Sequence, residues 1–337
     1  MEERRRVDVA IVGAGIAGIA TAYYACAAGR RPSVLLVDPR PPMSFTSARS
    51  GDNFRNWWPH PAMTAFTNHS IDLLETIAAE APDAVGLRRR GYLLATRRAD
   101  IDDLLADLQA GYGESPADAI RIHERAAGSY LQSGATGPRP APRGVDVLSS
   151  PALVAAAWPA LAPGIRHLLH IRRAGELDGA SLGAWMLKRV RAAGGRQLRG
   201  RCRAVTGHSP FTLEVETDDG TASVTADAVV NAAGPFAGEV AAMLDVELPV
   251  ESVFQQKIAF EDTKTAVPRD LPFLVDLDPV TLDWPAEVRD ELLADPALAR
   301  WANEIKRPKV KIHTAVSKKY LFSLIMEQSI LVCKNTH

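Results

Sequence analysis

Gly13-Ala14-Gly15-Ile16-Ala17-Gly18 is the segment of this sequence best suited to hold a ligand with its own backbone. The three glycines are spaced GxGxxG, and each has a separate physical task. Gly13 permits a tight turn, Gly15 lets the main chain approach a phosphate, and Gly18 lets a helix pack closely on a strand. A helix opening at Ile16 aims its unpaired amides and partial positive charge at that phosphate. Asp38 follows Gly18 by 20 residues. At that distance an acid suits the hydroxyls of a ribose and repels a 2′-phosphate. The chemistry implied is capture of a dinucleotide by its diphosphate and one sugar, with NADP disfavoured. These residues alone leave FAD and NAD both open. Asn231-Ala232-Ala233-Gly234 forms a second place for close backbone approach, which a simple NAD domain does not need.

The elements that must position these residues are legible around them. Val7–Val12 is an almost unbroken apolar run, as a strand buried on both faces requires. The pattern predicts a helix from Ile16 to about residue 28, then a second buried strand at Val34–Val37 that ends on Asp38. Strand, turn, helix and strand within about 30 residues make a βαβ unit. Pro39 to Pro61 reads as a loop of a length often given to function. Further helices are predicted at 61–81, 101–108, 181–193, 236–244 and 285–304. Strands are predicted at 91–96, 168–171, 197–205, 212–217, 222–225, 227–230 and 249–260. Asp218-Asp219-Gly220 reads as a hairpin turn, 131–144 as a Pro/Gly-rich connector, and Ser150-Pro151 as a helix cap and first turn.

The totals set outer limits. The 337 residues allow two domain-sized cores. Three scattered cysteines form no metal-binding or disulfide pattern, so no metal is expected and a reducing compartment, the cytoplasm, fits best. A net charge of −1 gives no reason to expect nucleic acid. No secretory leader or membrane-spanning run is read. Residues 305–337 differ from the rest. They hold six lysines, one arginine and one acid, whereas only Lys188, Lys257 and Lys264 precede them.

Taken together, Val9–Ala22, Val37-Asp38, Ser44–Pro59, Arg89–Thr96, Ala174–Asp178, Ala228–Ala237 and Leu248–Phe260 resemble the D-amino-acid oxidase/glycine oxidase/sarcosine oxidase superfamily of FAD-dependent oxidoreductases, the DAO fold. The resemblance covers about residues 7–304. It implies an α/β (α+β two-domain) architecture: a Rossmann-like FAD-binding domain and a substrate domain with a mixed or antiparallel sheet. The FAD domain is assigned to 1–90 and 145–243, the substrate domain to 91–144 and 244–304, and 305–337 to a basic tail.

Laid on this sequence, the family pattern gives Asp38 the adenosine ribose, with Pro39 and Arg40 beside it. Ser47 and Ser50 fall in the loop along the diphosphate. Cys202 stands where a backbone meets the adenine, and Ala233 and Gly234 close the cofactor side of a late strand. Arg55, Asn56, Trp57 and Trp58 are candidates to line the substrate cavity. Core packing is the other reading of the Trp pair, and an ion pair the other reading of Arg55. Lys257 either lies near the flavin or is an exposed alternate residue of a half-buried strand. The histidines read as surface or packing residues and Arg88–Arg90 as a solvated turn.

The implied reaction is oxidation of a C–N bond in a small amine or amino acid by hydride transfer to flavin N5, with the electron acceptor left open. The resemblance also implies on the order of a hundred further residues in similar enzymes, including a glycine-rich segment at the flavin's pyrimidine edge. Two alternatives are therefore weighed: a truncated member that binds FAD weakly and does not turn over, and an NAD-dependent dehydrogenase.

Overall fold

The computed structural model describes residues 5–27, 32–113, 119–125, 130, 143–250, 252, 256–278, 280–281, 285–294, 309–310, 313–316 and 321–326. The chain opens with β1 (Arg5–Val12), α1 (Ile16–Ala27) and β2 (Val34–Asp38). A 3-10 turn at Thr46–Arg49 leads to β3 (Asn53–Arg55), α2 (Pro61–Glu80), α3 (Pro82–Val85) and β4 (Tyr92–Thr96). Next come α4 (Asp102–Tyr112), β5 (Ile120–His123), β6 (Val145–Leu148), α5 (Pro151–Ala157), β7 (His167–Ile171) and β8 (Ala174–Glu176). After α6 (Gly179–Ala192) follow β9 (Arg196–Arg199), β10 (Arg201–Gly207), β11 (Phe211–Thr217) and β12 (Gly220–Asn231). A 3-10 turn at Gly234–Phe236 precedes α7 (Ala237–Ala242), then β13 (Gln256–Phe260), β14 (Phe273–Asp276), β15 (Val280–Thr281) and α8 (Ala286–Ala294). The last described elements are β16 (Lys309–Val310), β17 (His313–Val316) and β18 (Leu321–Met326).

The chain divides into two compact units. The first comprises residues 1–52, 77–86 and 177–253. Its six-stranded sheet has the order β10-β11-β12-β1-β2-β9, parallel from β12 to β9 and antiparallel from β10 to β12. β1 lies between β12 and β2, with Ala10, Ile11 and Val12 buried, which is why its second half, Val9–Val12, is apolar. Val7, Ala10, Leu35, Val37, Leu213, Val215 and Val224 form one packed cluster. The strands foreseen at 222–225 and 227–230 are one strand, β12, which pairs with β11 over Gly220–Ala226 and with β1 over Val224–Asn231. The strand foreseen at 197–205 is broken at Gly200 into β9, beside β2, and β10, beside β11.

The second unit comprises residues 53–76, 87–176 and 254–337. Its eight-stranded mixed sheet has the order β13-β18-β17-β14-β4-β7-β6-β5. Leu94, Leu108, Val145, Val147, Leu169 and Ile171 pack together as a core. Leu93, Leu148, Leu153, Trp158, Leu168 and Leu271 form another. The boundaries differ from the sequence-level division: 53–76, 87–90 and 145–176 lie in the second unit, and 244–253 in the first. The segment read as a basic tail contributes β17 and β18 to the second sheet. The helix foreseen at 285–304 is described over Ala286–Ala294, and its remainder lies outside the described residues, as does most of the 131–144 connector. Among the described residues no helix is long and apolar enough to cross a membrane.

Candidate functional site

At the carboxyl end of β1 the chain turns at Gly13 with φ +113°, a region where an L side chain is strained. Its N–H donates to the Val37 carbonyl (2.8 Å), and a Cβ there would overlap the Ala232 carbonyl. A Cβ at Gly18 would overlap the Gly13 carbonyl, so Gly18 lets α1 seat on its own turn. At Gly15 a Cβ would stand 3.1 Å from Ser47 Oγ, at the edge of tolerance. The glycines thus leave an open backbone at the mouth of α1, where the helix dipole favours an anion.

Asp38 faces this turn. Its Oδ2 accepts from Ala14 N–H and its Oδ1 from Arg40 N–H, both at 2.8 Å. These bonds fix the carboxylate and leave each oxygen further lone-pair capacity for hydroxyl donors. Ser47 Oγ accepts from Ile16 N–H at 3.0 Å. The loop that carries Ser47 is anchored at both ends. Met43 N–H donates to the Ala14 carbonyl (3.0 Å), and a Cβ at Gly183 of α6 would collide with the Met43 side chain. Asp52 accepts from Gly179 N–H at 3.1 Å, and Leu177 N–H donates to its carbonyl.

These segments enclose a cavity of about 350 Å³ within the first unit, a size in the range of cofactor clefts. Gly13, Ala14, Gly15, Ile16 and Ala17 line it from the turn. Asp38, Pro39, Arg40 and Ser47 line it from the loop, and Cys202, Ala233 and Gly234 from β10 and the turn after β12. Gly18 and Ser50 are not among the lining residues. Ser50 instead accepts from Asp52 N–H at 3.0 Å, closing a local turn. Burial pushes the Cys202 thiol up to about 11, so it is a neutral wall of the cavity.

Sequence reasoning missed Phe45, Phe236, Arg201 and Arg203, which also line the cavity. The available signal was proximity: Phe45 lies two residues before Ser47, and Phe236 two after Gly234.

The remaining candidates lie in the second unit. The Arg55 guanidinium stands 4.3 Å from the Trp58 ring centroid, 5.1 Å from Tyr92 and 5.9 Å from Trp57. Ring faces therefore meet its charge, and among the described residues no carboxylate comes within ion-pair distance of it. Its Nε is buried and without a hydrogen-bond partner among the described residues. Trp57 is buried with Leu108 and Ile171, whereas Trp58 is more than a third exposed. Lys257 lies in β13 opposite Ile325 of β18, and its side chain is outside the described residues.

Arg88–Arg90 is not a solvated turn. Arg88 and Arg90 both pair with Glu176, and Arg89 with Glu75. The half-buried position of this segment follows from its backbone pairing, in which Arg88 and Glu176 exchange both hydrogen bonds.

The family described as FAD dependent oxidoreductase (DAO) matches residues 8–283. The chain belongs to this family. FAD is its cofactor, and the NAD-dependent alternative falls with that assignment. Among solved structures, the fold resembles L-proline dehydrogenase from P. horikoshii (TM-score 0.66, 13% identity, covering 96% of this chain and 70% of that one). It also resembles glycine oxidase from Geobacillus kaustophilus (TM-score 0.64, 16% identity, 95% and 70%). A third similar structure is NikD, an unusual amino acid oxidase essential for nikkomycin biosynthesis (TM-score 0.65, 14% identity, 95% and 70%). No curated protein matches. The open backbone at Gly13–Ala17 and the inward-facing Asp38 fit the diphosphate and ribose of FAD.

Proposed function

We propose that this DAO-family oxidoreductase oxidises a C–N bond of a small amino acid or N-substituted amine, with FAD held in the cavity of the first unit. The observation that carries the cofactor part is the side-chain-free turn at the mouth of α1 with Asp38 fixed against it. When bound, FAD supplies the acceptor for the hydride equivalent leaving the carbon next to nitrogen. The α1 terminus, with the Gly15 and Ala17 amides that Asp38 and Ser47 do not engage, would hold the diphosphate. Asp38 accepts from the ribose hydroxyls, and Pro39, Cys202, Ala233 and Gly234 exclude water from the walls. Cys202, kept protonated by burial, contributes shape and no charge.

On the substrate side, the amine or amino-acid class is supported by the family and by the named activities of the similar structures. Arg55 is the candidate anchor for a carboxylate. Its guanidinium is held by rings rather than neutralised by an acid, so it keeps donors for an incoming anion. Trp58, whose ring meets the Arg55 guanidinium, is a candidate for the same wall, whereas Trp57 packs in the core.

The test is direct. The purified protein is expected to show flavin absorbance and to bleach anaerobically on addition of amino acids or N-methylated amines. A yellow protein that no such compound bleaches would remove the proposed substrate class while leaving the cofactor assignment intact.

A further inference from the structure

Arg40, Phe45 and Phe236 meet at the cavity although they come from opposite sides of β1. Arg40 and Phe45 follow β2, whereas Phe236 follows β12, and these two strands flank β1. A contact between the ends of β2 and β12 must cross the carboxyl end of β1, where the glycine turn lies. That contact exists. The Phe45 and Phe236 rings stack with centroids 5.7 Å apart and planes at 28°. The Arg40 guanidinium lies 4.3 Å from the Phe45 centroid and 5.3 Å from the Phe236 centroid. All three line the same cavity as Gly13–Ala17.

We propose that Arg40, Phe45 and Phe236 form a clamp that closes over the diphosphate of FAD. The proposal rests on the cofactor reading above and deepens it, since that reading placed Arg40 only beside Asp38. Three features fit. Among the described residues no carboxylate lies within ion-pair distance of the Arg40 guanidinium, so its charge is not already neutralised. A planar guanidinium with five donors matches phosphate oxygens and stacks on aromatic faces at the same time. The two rings fix its position, which lowers the conformational cost of presenting those donors. Arg40 is tethered at its own backbone too, because its N–H donates to Asp38 Oδ1. The carboxylate assigned to the sugar thus also fixes the main chain from which the Arg40 guanidinium reaches the two rings.

The experiment uses flavin-free full-length protein and follows flavin fluorescence as FAD binds and is released. Arg40→Ala is expected to speed FAD release by about tenfold, the scale of one charge-assisted contact. It should also flatten the dependence of affinity on salt, because a cation facing the diphosphate is gone. Phe236→Leu keeps volume but loses the stack, and should speed release about threefold with the salt dependence unchanged. Arg40→Lys should restore the salt dependence and only part of the slow release. Thermal melts of each variant report whether the fold is kept. An Arg40→Ala protein that melts like the parent and releases FAD at the parental rate, with the same salt dependence, would overturn the clamp alone. A parent protein that never quenches or retains FAD would instead overturn the underlying cofactor site.

Discussion

At the scale of single residues, the site is built from absences as much as from side chains. Gly13 and Gly15 matter because a Cβ there would meet backbone or Ser47. This is legible in sequence, since only spacing and residue type are needed. Phe45 and Phe236 were not legible, because an aromatic residue in a loop carries no sign of its partner until two strand ends are brought together. Asp38→Ala is expected to weaken FAD by about ten- to a hundredfold, since a carboxylate accepting hydroxyl hydrogen bonds contributes roughly 1.5–3 kcal/mol. Equilibrium titration of flavin-free protein measures this, and Asp38→Asn should retain part of the affinity through its remaining acceptor oxygen. Cys202 makes a second residue-scale case. Its thiol, pushed up to about 11 by burial, carries almost no thiolate at pH 8. Alkylation at that residue, followed by mass spectrometry, should be far slower than for a free thiol, and rapid labelling in the native protein would contradict the neutral-wall assignment.

Elements place these residues, and here the sequence was informative where periodicity and caps were strong. Ser150 accepts from Leu153 N–H with Pro151 in the first turn, as its position suggested. The two apolar runs around Ala226 are one strand that pairs first with β11 and then with β1, and nothing in residue type marks such a handover of partners. The split at Gly200 was hidden for a different reason. β9 and β10 take different neighbours, and neighbours are set by the whole sheet. Gly111 near the end of α4 shows what element packing demands. A Cβ there would overlap the Trp58 carbonyl and stand 2.5 Å from Trp57 Nε1. In an exposed helix Gly→Ala gains about 1 kcal/mol from propensity. Overlap with a backbone carbonyl costs about 1–3 kcal/mol, because a carbonyl in a packed segment cannot swing aside as a flexible side chain does. Gly111→Ala is therefore expected to lower the melting temperature despite its better helix propensity, and a raised melting temperature would show that α4 is free to shift.

At the scale of the whole molecule, alternation of helices and strands announced a two-unit α/β protein with discontinuous parts, while the boundaries escaped notice. The cause is the short ribbon β3–β8, in which Asn53–Arg55 pair with Ala174–Glu176 and draw 53–76 into the second unit. Three-residue strands leave no periodic signal. The same unit carries a buried polar network that links global stability to pH. Trp158 Nε1–H donates to Tyr130 Oη (3.0 Å), and Tyr130 lies 2.9 Å from His170 Nδ1. With Nδ1 as the acceptor from Tyr130, the remaining ring proton sits on Nε2, 3.4 Å from the Arg90 carbonyl. Burial, aided by the charge of Arg172, pushes His170 down to about 3. Asp146 nearby is raised by burial, but bonds from Arg121 and His123 and the Arg172 charge outweigh that and hold it at about 2. The signs agree. Between about pH 6.5 and 3 the unfolded chain binds the His170 proton and the native one does not, so stability present above 6.5 is lost as pH falls. The Asp146 contribution is present above its ordinary value of 3.8 and is lost only as pH falls towards 2. Each group changes stability by at most about 1.4 kcal/mol per pH unit within its window. Urea midpoints measured from pH 7.5 to 5 should thus fall already below 6.5, before any carboxylate titrates. His170→Gln is expected to be less stable at pH 7.5 by about 1–2 kcal/mol, through loss of a fitted buried acceptor. It should also show a shallower decline between pH 6.5 and 5, because the titrating ring is gone. A variant with an unchanged slope would place the acid sensitivity elsewhere in the protein and leave the Trp158–Tyr130–His170 chain a packing feature only.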